Sequence, residues 1–74
     1  MSPALSDVPT RKVIRVLESV GFEHVRTKGS HAIYRHADGR VVVIPRHATV
    51  KRGTLTSILR QAGLKPAEFL DLLS

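Results

Sequence analysis

The chain has 74 residues, which is enough for one small domain and too few for a second domain or a deep cofactor cleft. It contains no cysteine, so neither disulfide bonds nor a cysteine-ligated zinc ion can add stability. No apolar run approaches the roughly 20 residues of a membrane-spanning helix, and the N-terminal stretch lacks the apolar core of a signal peptide. We therefore expect a soluble protein of the cytoplasm that uses no cofactor and no membrane.

Positive charge is concentrated in the middle of the chain. The formal net charge is +6, and residues 26–52 alone carry seven basic side chains against one acid. Outside this segment, five basic residues balance five acids. Such a concentrated excess is typical of a surface that binds phosphate groups, so nucleic acid is the partner that charge favours. A basic surface that serves only solubility stays an alternative.

The first predicted element is an amphipathic helix. Residues 1–9 have no periodic pattern and contain two prolines, so we predict a flexible N-terminal tail, followed by a single domain over residues 10–74. Thr10 is a suitable N-cap, and Gly21 is a suitable end for the helix. The apolar stripe of this helix consists of Val13, Ile14, Val16, Leu17 and Val20.

Three short strands follow, and their turns predict how they pair. Gly29-Ser30 fits a type II′ turn with glycine first, and Asp38-Gly39 is a strong signal for a two-residue type I′ turn. Two-residue turns place Lys28 opposite His31, and His31 opposite Arg46. Because side chains alternate between the faces of a sheet, this register predicts one apolar face and one basic face.

The predicted faces differ sharply in composition. The apolar face contains Val25, Thr27, Ala32, Tyr34, Val41 and Val43. The basic face contains His24, Arg26, Lys28, His31, Arg35, Arg40 and Arg46, interspersed with Ile33, Val42 and Ile44. We expect Ile33 and Ile44 to be exposed there as a patch for a protein partner, and a slip by one residue would exchange the two faces.

The C-terminal part predicts two more helices. Leu55, Ile58, Leu59 and Ala62 form an apolar stripe that ends before Gly63, and a short third helix begins at Pro66. The N-terminal turn of the second helix, beside Lys51, Arg52 and Thr54, is placed to bind an anion. The order of helix, three-stranded meander and helix predicts an α+β domain with its helices on one face of the sheet, as in the double-stranded-RNA-binding fold.

A series of motifs runs in one order between residues 21 and 63. It comprises Gly21-Phe22, Lys28-Gly29-Ser30-His31, Ile33-Tyr34, Asp38-Gly39, Val43-Ile44-Pro45-Arg46-His47, Gly53-Thr54-Leu55, Ile58-Leu59 and Gln61-Ala62-Gly63. In this series the chain resembles the HicA toxin family, and the resemblance extends from about Thr10 to Leu70. Two positions depart from the family's pattern: Ala32 stands where many members carry a second histidine or another polar residue, and Lys65 replaces the usual Ser or Thr cap of the last helix.

The resemblance implies a function. It implies the toxin of a type II toxin-antitoxin pair, an mRNA interferase with a fold similar to the double-stranded-RNA-binding domain. It also implies that His31, in the Gly-Ser-His motif, is the catalytic residue. A HicB-type antitoxin is expected to cover the His31 region, and the free toxin is expected to be a monomer.

RNA cleavage without a metal ion has three chemical requirements. The 2′-hydroxyl must lose a proton, charge on the phosphate must be stabilised, and the leaving oxygen must gain a proton. His31 could act as general acid or general base, and its role stays open. Lys28 and Arg46 would hold the phosphate, and the backbone of Gly29-Ser30 would allow close approach.

The remaining histidines, two arginines and Tyr34 also have predicted roles. Arg26 and Arg35 join the predicted RNA-binding residues, and His47 is the candidate for both RNA binding and a second proton transfer. We interpret His24 and His36 as surface residues and Tyr34 as structural. No His-x-x-x-His pair is present and the basic segment has one carboxylate, so we expect no metal. A non-catalytic RNA-binding module that uses the same basic face is the alternative function.

Overall fold

Three helices and a three-stranded antiparallel sheet make up the structure, a computed structural model that describes residues 5–74. In chain order the elements are β1 (Val8–Pro9), α1 (Thr10–Ser19), β2 (Phe22–Lys28), β3 (His31–His36), β4 (Val41–Pro45), β5 (Thr49–Val50), α2 (Arg52–Ala62) and α3 (Pro66–Leu73). The predicted α+β class and the order of helix, meander and two helices are confirmed. The two short strands β1 and β5, which pair with each other, were not predicted.

The core lies between the helices and one face of the sheet. The apolar stripes predicted for α1 and α2 point into it, which confirms the helical periodicity of both segments. The helices contribute Val13, Val16, Leu17, Leu55, Ile58, Leu59, Ala62 and Phe69, and the sheet contributes Phe22, Ala32, Tyr34, Val42 and Ile44. Gly63 ends α2 in the left-handed conformation, with φ at 72°, as expected of a glycine in that position.

The segment before α1 is tied to the body of the protein. Val8 pairs with Val50 and is only 5% exposed, and Pro9 pairs with Thr49. The prediction of a flexible tail over residues 1–9 is therefore wrong for Val8 and Pro9, because an apolar side chain and a strand pairing hold them. Residues 1–4 of that predicted tail lie outside the described residues.

Thr10 does not cap α1 as predicted. It is the first helical residue, Pro9 takes the N-cap position, and the Thr10 hydroxyl donates to the carbonyl of His47. The Thr10 amide donates to the carbonyl of Ala48 at 3.0 Å. Both donors at the start of α1 therefore bind the loop after β4, which fixes that loop against the helix.

The turn between β2 and β3 has the predicted geometry. Lys28 pairs with His31, which confirms the two-residue loop. Gly29 has φ at 60°, and no non-glycine residue among residues 5–74 has positive φ, so Ser30 is in the ordinary region. Positive φ at the first central position alone is the mark of a type II′ turn.

The turn between β3 and β4 is one residue longer than predicted. The His36 amide donates to the Arg40 carbonyl and the Gly39 amide donates to the His36 carbonyl, both at 2.9 Å, so three residues form the loop. A type I′ turn needs positive φ at Asp38 and Gly39, yet only Gly39 has it, at 98°. His31 consequently pairs with Pro45, and the predicted pairing of His31 with Arg46 is wrong.

This one-residue shift exchanges the faces of β4. Val42 and Ile44 are fully buried, whereas Val41 is 46% exposed and Val43 is 39% exposed, so the prediction is wrong for all four. An irregularity between His24 and Arg26 similarly leaves Val25 exposed. Ala32 and Tyr34 lie in the core as predicted, because the first turn was predicted correctly.

The longer turn is held by an ion pair. The Asp38 carboxylate accepts hydrogen bonds from the Arg40 amide at 3.0 Å and from Arg40 Nε at 2.9 Å. The Arg40 guanidinium also donates to the Ala62 carbonyl and lies 5.3 Å from the centre of the Phe22 ring. Arg40, predicted as part of the basic face, therefore links the turn to the end of α2.

The Asp38–Arg40 pair predicts a pH-dependent stability. The hydrogen bond from the Arg40 side chain is the main cause that lowers the pKa of Asp38 from 3.8 to about 2. A carboxylate with a lowered folded-state pKa stabilises the fold above its unfolded pKa of about 4, and this contribution disappears as the pH falls through about 2. We expect Asp38→Asn to melt below the wild type at pH 7, with a difference that shrinks steadily as the pH falls from 4 towards 2. Thermal melts across this range measure it, and a constant difference would contradict the ion-pair explanation.

A carboxylate of the same chain binds the N-terminus of α2. The Arg52 amide donates to Asp7 Oδ1 at 2.9 Å, and Lys51 at the N-cap position makes no side-chain capping bond. The anion site predicted beside Lys51, Arg52 and Thr54 thus has one amide bound by an internal carboxylate. Asp7 acts as a cap from outside the helix.

Asp7→Ala should lower the free energy of unfolding by about 1 kcal/mol, since one helix-terminal amide loses an acceptor and the helix dipole loses a negative charge. Urea unfolding measures this difference. Asp7→Asn is the matched control, because its amide oxygen still accepts the bond and should retain most of the stability. Equal loss in both variants would show that charge alone is responsible.

Candidate functional site

The turn between β2 and β3 brings a lysine and a histidine together. Lys28 ends β2, His31 begins β3, and the two are cross-strand partners with exposed side chains. Directly opposite residues in an antiparallel pair have Cβ atoms about 4.5–5.5 Å apart. An imidazole and an ammonium group therefore flank the Gly29-Ser30 turn on one side of the sheet.

Other cations share this side of the sheet. Arg35 follows His31 at an even spacing along β3, and Arg26 pairs with Ile33 between them. We call this side the open face, since its valines are exposed to solvent; it consists of Glu23, Arg26, Lys28, His31, Ile33, Arg35, Val41, Val43 and Pro45. The register thus groups the predicted residues Arg26, Lys28, His31 and Arg35, with Glu23 opposite Arg35.

An apolar patch lies beside these cations. Ile33 pairs with Val43, and Arg35 pairs with Val41, so the three aliphatic side chains are neighbours on the open face. The exposed patch predicted from Ile33 and Ile44 is wrong in its second member, because Ile44 is fully buried. The patch consists of Ile33, Val41 and Val43.

Arg46 lies on the other side of the sheet from His31. The Arg46 amide donates to the Ser30 carbonyl at 2.6 Å, which keeps its backbone next to the turn. Its side chain lines a cleft together with Tyr34, a core-face residue. The predicted placement of Arg46 directly across from His31 is wrong, because the three-residue turn moves every residue after it by one position.

A cleft lies between α1, the sheet and the loop after β4. We call it the helix-side cleft; its volume is about 610 Å³, and it is lined by Thr10, Ile14, His24, Thr27, Ala32, Tyr34, Ile44, Arg46, His47 and Ala48. His24 Nε2 and Thr27 Oγ1 are 2.9 Å apart, and the His24 and Tyr34 rings meet edge to face with centroids 5.4 Å apart. The cleft therefore combines an apolar floor with two histidines, a tyrosine and an arginine.

The ionisation of Tyr34 reflects these surroundings. Burial is the main cause that raises the pKa of Tyr34 above its usual value of 10.0, and the negative charge of Glu18 raises it further. The positive charge of Arg46 acts in the opposite direction. The guanidinium therefore lies close enough to the phenol to influence its charge.

No function is predicted for His24 and Tyr34 from the sequence. Their role in the cleft follows from the alternation of β2 and β3, but only after the irregularity in β2 is known. His47, predicted as a second proton-transfer group, also lines the cleft. His36 is not an ordinary surface residue: it is partly buried, and its ring lies edge to face with Phe22 at 5.2 Å.

Two other kinds of site are absent from the described part of the chain. Among residues 5–74, no three His, Asp or Glu side chains are grouped closely enough to hold a metal ion. None of the helices in this range has the length and apolar character needed to cross a membrane.

Fold and surface together define a small, basic α+β protein with an exposed imidazole among cationic side chains. A sequence model of a protein family, the HicA toxins of bacterial toxin-antitoxin systems, matches residues 10–64, well over half of the chain. The protein belongs to the HicA toxin family. It is thus the toxin of a toxin-antitoxin system, which implies an antitoxin partner. No curated protein matches the chain.

The placement of Arg46 beside Tyr34 can be tested by titration, because Tyr34 is the only tyrosine. The phenolate absorbance of the wild type should appear with an apparent pKa above 10.0. Glu18→Gln should lower this pKa and Arg46→Gln should raise it, since each removes a charge that acts on the phenol. Circular dichroism over the same pH range checks that the fold persists.

Arg60→Gln is the matched control, because it removes the same charge from the last turn of α2, outside the residues that line the cleft. Arg60→Gln should leave the Tyr34 titration unchanged. An identical titration in Arg46→Gln and wild type would contradict the placement of the guanidinium.

Proposed function

We propose that this toxin is a metal-independent endoribonuclease, an mRNA interferase that blocks translation by cleaving RNA, with His31 as general acid or general base. Membership of the HicA family carries the proposal, because the Gly-Ser-His motif of this chain ends at His31. The site geometry supports it: His31 is exposed, faces Lys28 across a tight turn and shares the open face with Arg26 and Arg35.

The cations of the open face suit a polyanion. Lys28 is the cross-strand neighbour of His31, so its ammonium can hold a phosphate that the imidazole also reaches. Arg26 and Arg35 extend the positive charge along β2 and β3, where they would bind the neighbouring phosphates. The side-chain-free Gly29 and the small Ser30 let the RNA backbone approach the turn closely. We keep all five in the proposed RNA-binding surface.

The reaction needs one bond formed and one broken at phosphorus. The 2′-oxygen attacks the phosphorus as its proton leaves, the bond from phosphorus to the 5′-oxygen breaks, and that oxygen takes up a proton. His31 would perform one of these two proton transfers, since a histidine titrates near neutral pH. Lys28 would stabilise the additional negative charge on the phosphate in the transition state.

The second proton-transfer group is not His47 in this proposal. His47 lines the helix-side cleft, whereas the register puts His31 on the open face. We therefore assign His47 and Arg46 to RNA contact beyond the scissile phosphate. The element order of helix, meander and helix, which is that of the double-stranded-RNA-binding fold, is consistent with RNA as the ligand.

We propose that the antitoxin partner docks on the open face. Ile33, Val41 and Val43 form an apolar patch among the cations, and such patches are typical of protein interfaces. A HicB-type antitoxin that covered this patch would also cover His31, two residues along β3. We propose that the free toxin acts as a monomer in the cytoplasm, where it meets mRNA.

His31→Gln tests the catalytic assignment. Loss of the imidazole should lower the rate of RNA cleavage by about 10²–10⁴-fold and abolish growth inhibition, because general acid–base catalysis contributes this much. RNA binding and the melting temperature should be nearly unchanged, since His31 is exposed. Mapping the cut ends of a purified RNA with both proteins, and repeating the reaction in EDTA, measures these effects.

The possible outcomes separate the functions. Cleavage by the wild type that persists in EDTA and is lost in His31→Gln supports the proposal. Cleavage that stops in EDTA and returns with a divalent ion would contradict a metal-independent reaction, and full activity in His31→Gln would refute its role. RNA binding by a wild type that never cleaves would instead favour the non-catalytic RNA-binding module.

A further inference from the structure

The helix-side cleft has the chemistry of a nucleotide site. Ile14, Ala32 and Ile44 form an apolar floor, and Arg46 adds a cation. Among the residues described as lining it, none is acidic. Its volume of about 610 Å³ lies within the range of about 300–1,000 Å³ that is usual for pockets that bind small molecules. A nucleotide, with a flat base and an anionic phosphate, matches this combination of surfaces.

Two aromatic rings stand in the cleft in a fixed arrangement. The His24 ring is exposed, and its Nε2 lies 2.9 Å from the Thr27 hydroxyl. Tyr34 is only 6% exposed, and its ring lies edge to face with the His24 ring. An exposed ring in a fixed orientation is a stacking platform for an unstacked RNA base.

The cleft and the His31 site lie on opposite sides of one hairpin tip. Thr27 and Ala32 are cross-strand partners that line the cleft, and the next pair toward the turn is Lys28 and His31. Adjacent residues along a strand are about 3.3 Å apart, so the two sites are separated by one residue step and the thickness of the sheet. A single strand that passes around Gly29-Ser30 can contact both.

The wall of the cleft is tied to the same turn. The Arg46 amide donates to the Ser30 carbonyl, and the start of α1 binds the carbonyls of His47 and Ala48. These bonds fix the backbone of Arg46 and His47 beside the tip. A site that is already formed binds without a large cost in ordering.

From this arrangement we propose that the helix-side cleft binds one unstacked nucleotide of the RNA substrate, the neighbour of the nucleotide whose phosphate lies at His31. Arg46 binds its phosphate or base edge, and His24 stacks on its base. The inference rests on the proposed ribonuclease function for the position of the nucleotide in the substrate. It makes Arg46 and His24 determinants of substrate binding, separate from proton transfer at His31.

Titration with a mononucleotide tests the cleft without any cleavage. Uridine 3′-monophosphate, uridine and inorganic phosphate are added separately to the full chain, and the ring resonances of His24 and Tyr34 are followed by NMR. We expect the mononucleotide to change the chemical shifts of both rings at concentrations at least tenfold lower than those at which uridine or phosphate does so. Arg46→Gln should weaken this binding about tenfold, because a charge-assisted contact is lost, and Arg60→Gln should bind as the wild type does.

Kinetics then separates this inference from the proposed function. Arg46→Gln should raise the KM for RNA about tenfold with little change in kcat, whereas His31→Gln should lower kcat. Ring shifts caused equally by inorganic phosphate would make the cleft a simple anion site and overturn the proposal. A wild type that cleaves RNA, with unshifted rings and an unchanged KM in Arg46→Gln, would overturn it while the ribonuclease function stands. If no RNA is cleaved, the ribonuclease function and the nucleotide's assigned position fail together, and the ring shifts still decide whether the cleft binds a nucleotide.

Discussion

The register between β3 and β4 is the constraint on which the rest of the site depends, and one turn sets it. Within this turn only Gly39 takes positive φ, and the Asp38 carboxylate accepts a hydrogen bond from the Arg40 amide, so three residues connect the strands. Side chains alternate with a period of two, and a two-residue loop would move every side chain of β4 to the opposite face. The burial of Val42 and Ile44 and the position of Arg46 both follow from this single extra residue.

The loop after β4 is held by contacts with the N-terminal segment, residues 8–10. The pairing of β1 with β5 and the two bonds from Thr10 fix residues 47–50 against the start of α1. Residues of this loop form one wall of the helix-side cleft. A segment without sequence periodicity thus shapes the surface on which Arg46 and His47 lie.

The hairpin tip at Gly29-Ser30 connects two surfaces of different character. The open face carries cations beside an aliphatic patch, which suits both a phosphate backbone and a protein partner. The opposite side is a cleft with rings and one guanidinium. For a toxin with an antitoxin partner, this division allows an inhibitor to cover the His31 side alone, while the proposed nucleotide contact lies around the edge of the sheet.

The sequence alone determines the α+β class, both long helices, the third helix and the first hairpin, because each depends on local signals: periodic apolar stripes, Gly63, Pro66, and a glycine at the first position of a type II′ turn. The family follows from the sequence through its ordered series of motifs. The grouping of His31 with Lys28, Arg26 and Arg35 was also predictable, since that turn aligns β2 with β3. The tertiary structure alone decided the rest. Asp38-Gly39 is compatible with turns of two or three residues. Arg40 donates to the nearby Asp38 carboxylate, but it also donates to the carbonyl of Ala62, which lies far along the chain. The strand at Val8, the irregularity in β2 and the cleft around Arg46 likewise arise from contacts between distant segments, which local patterns do not encode.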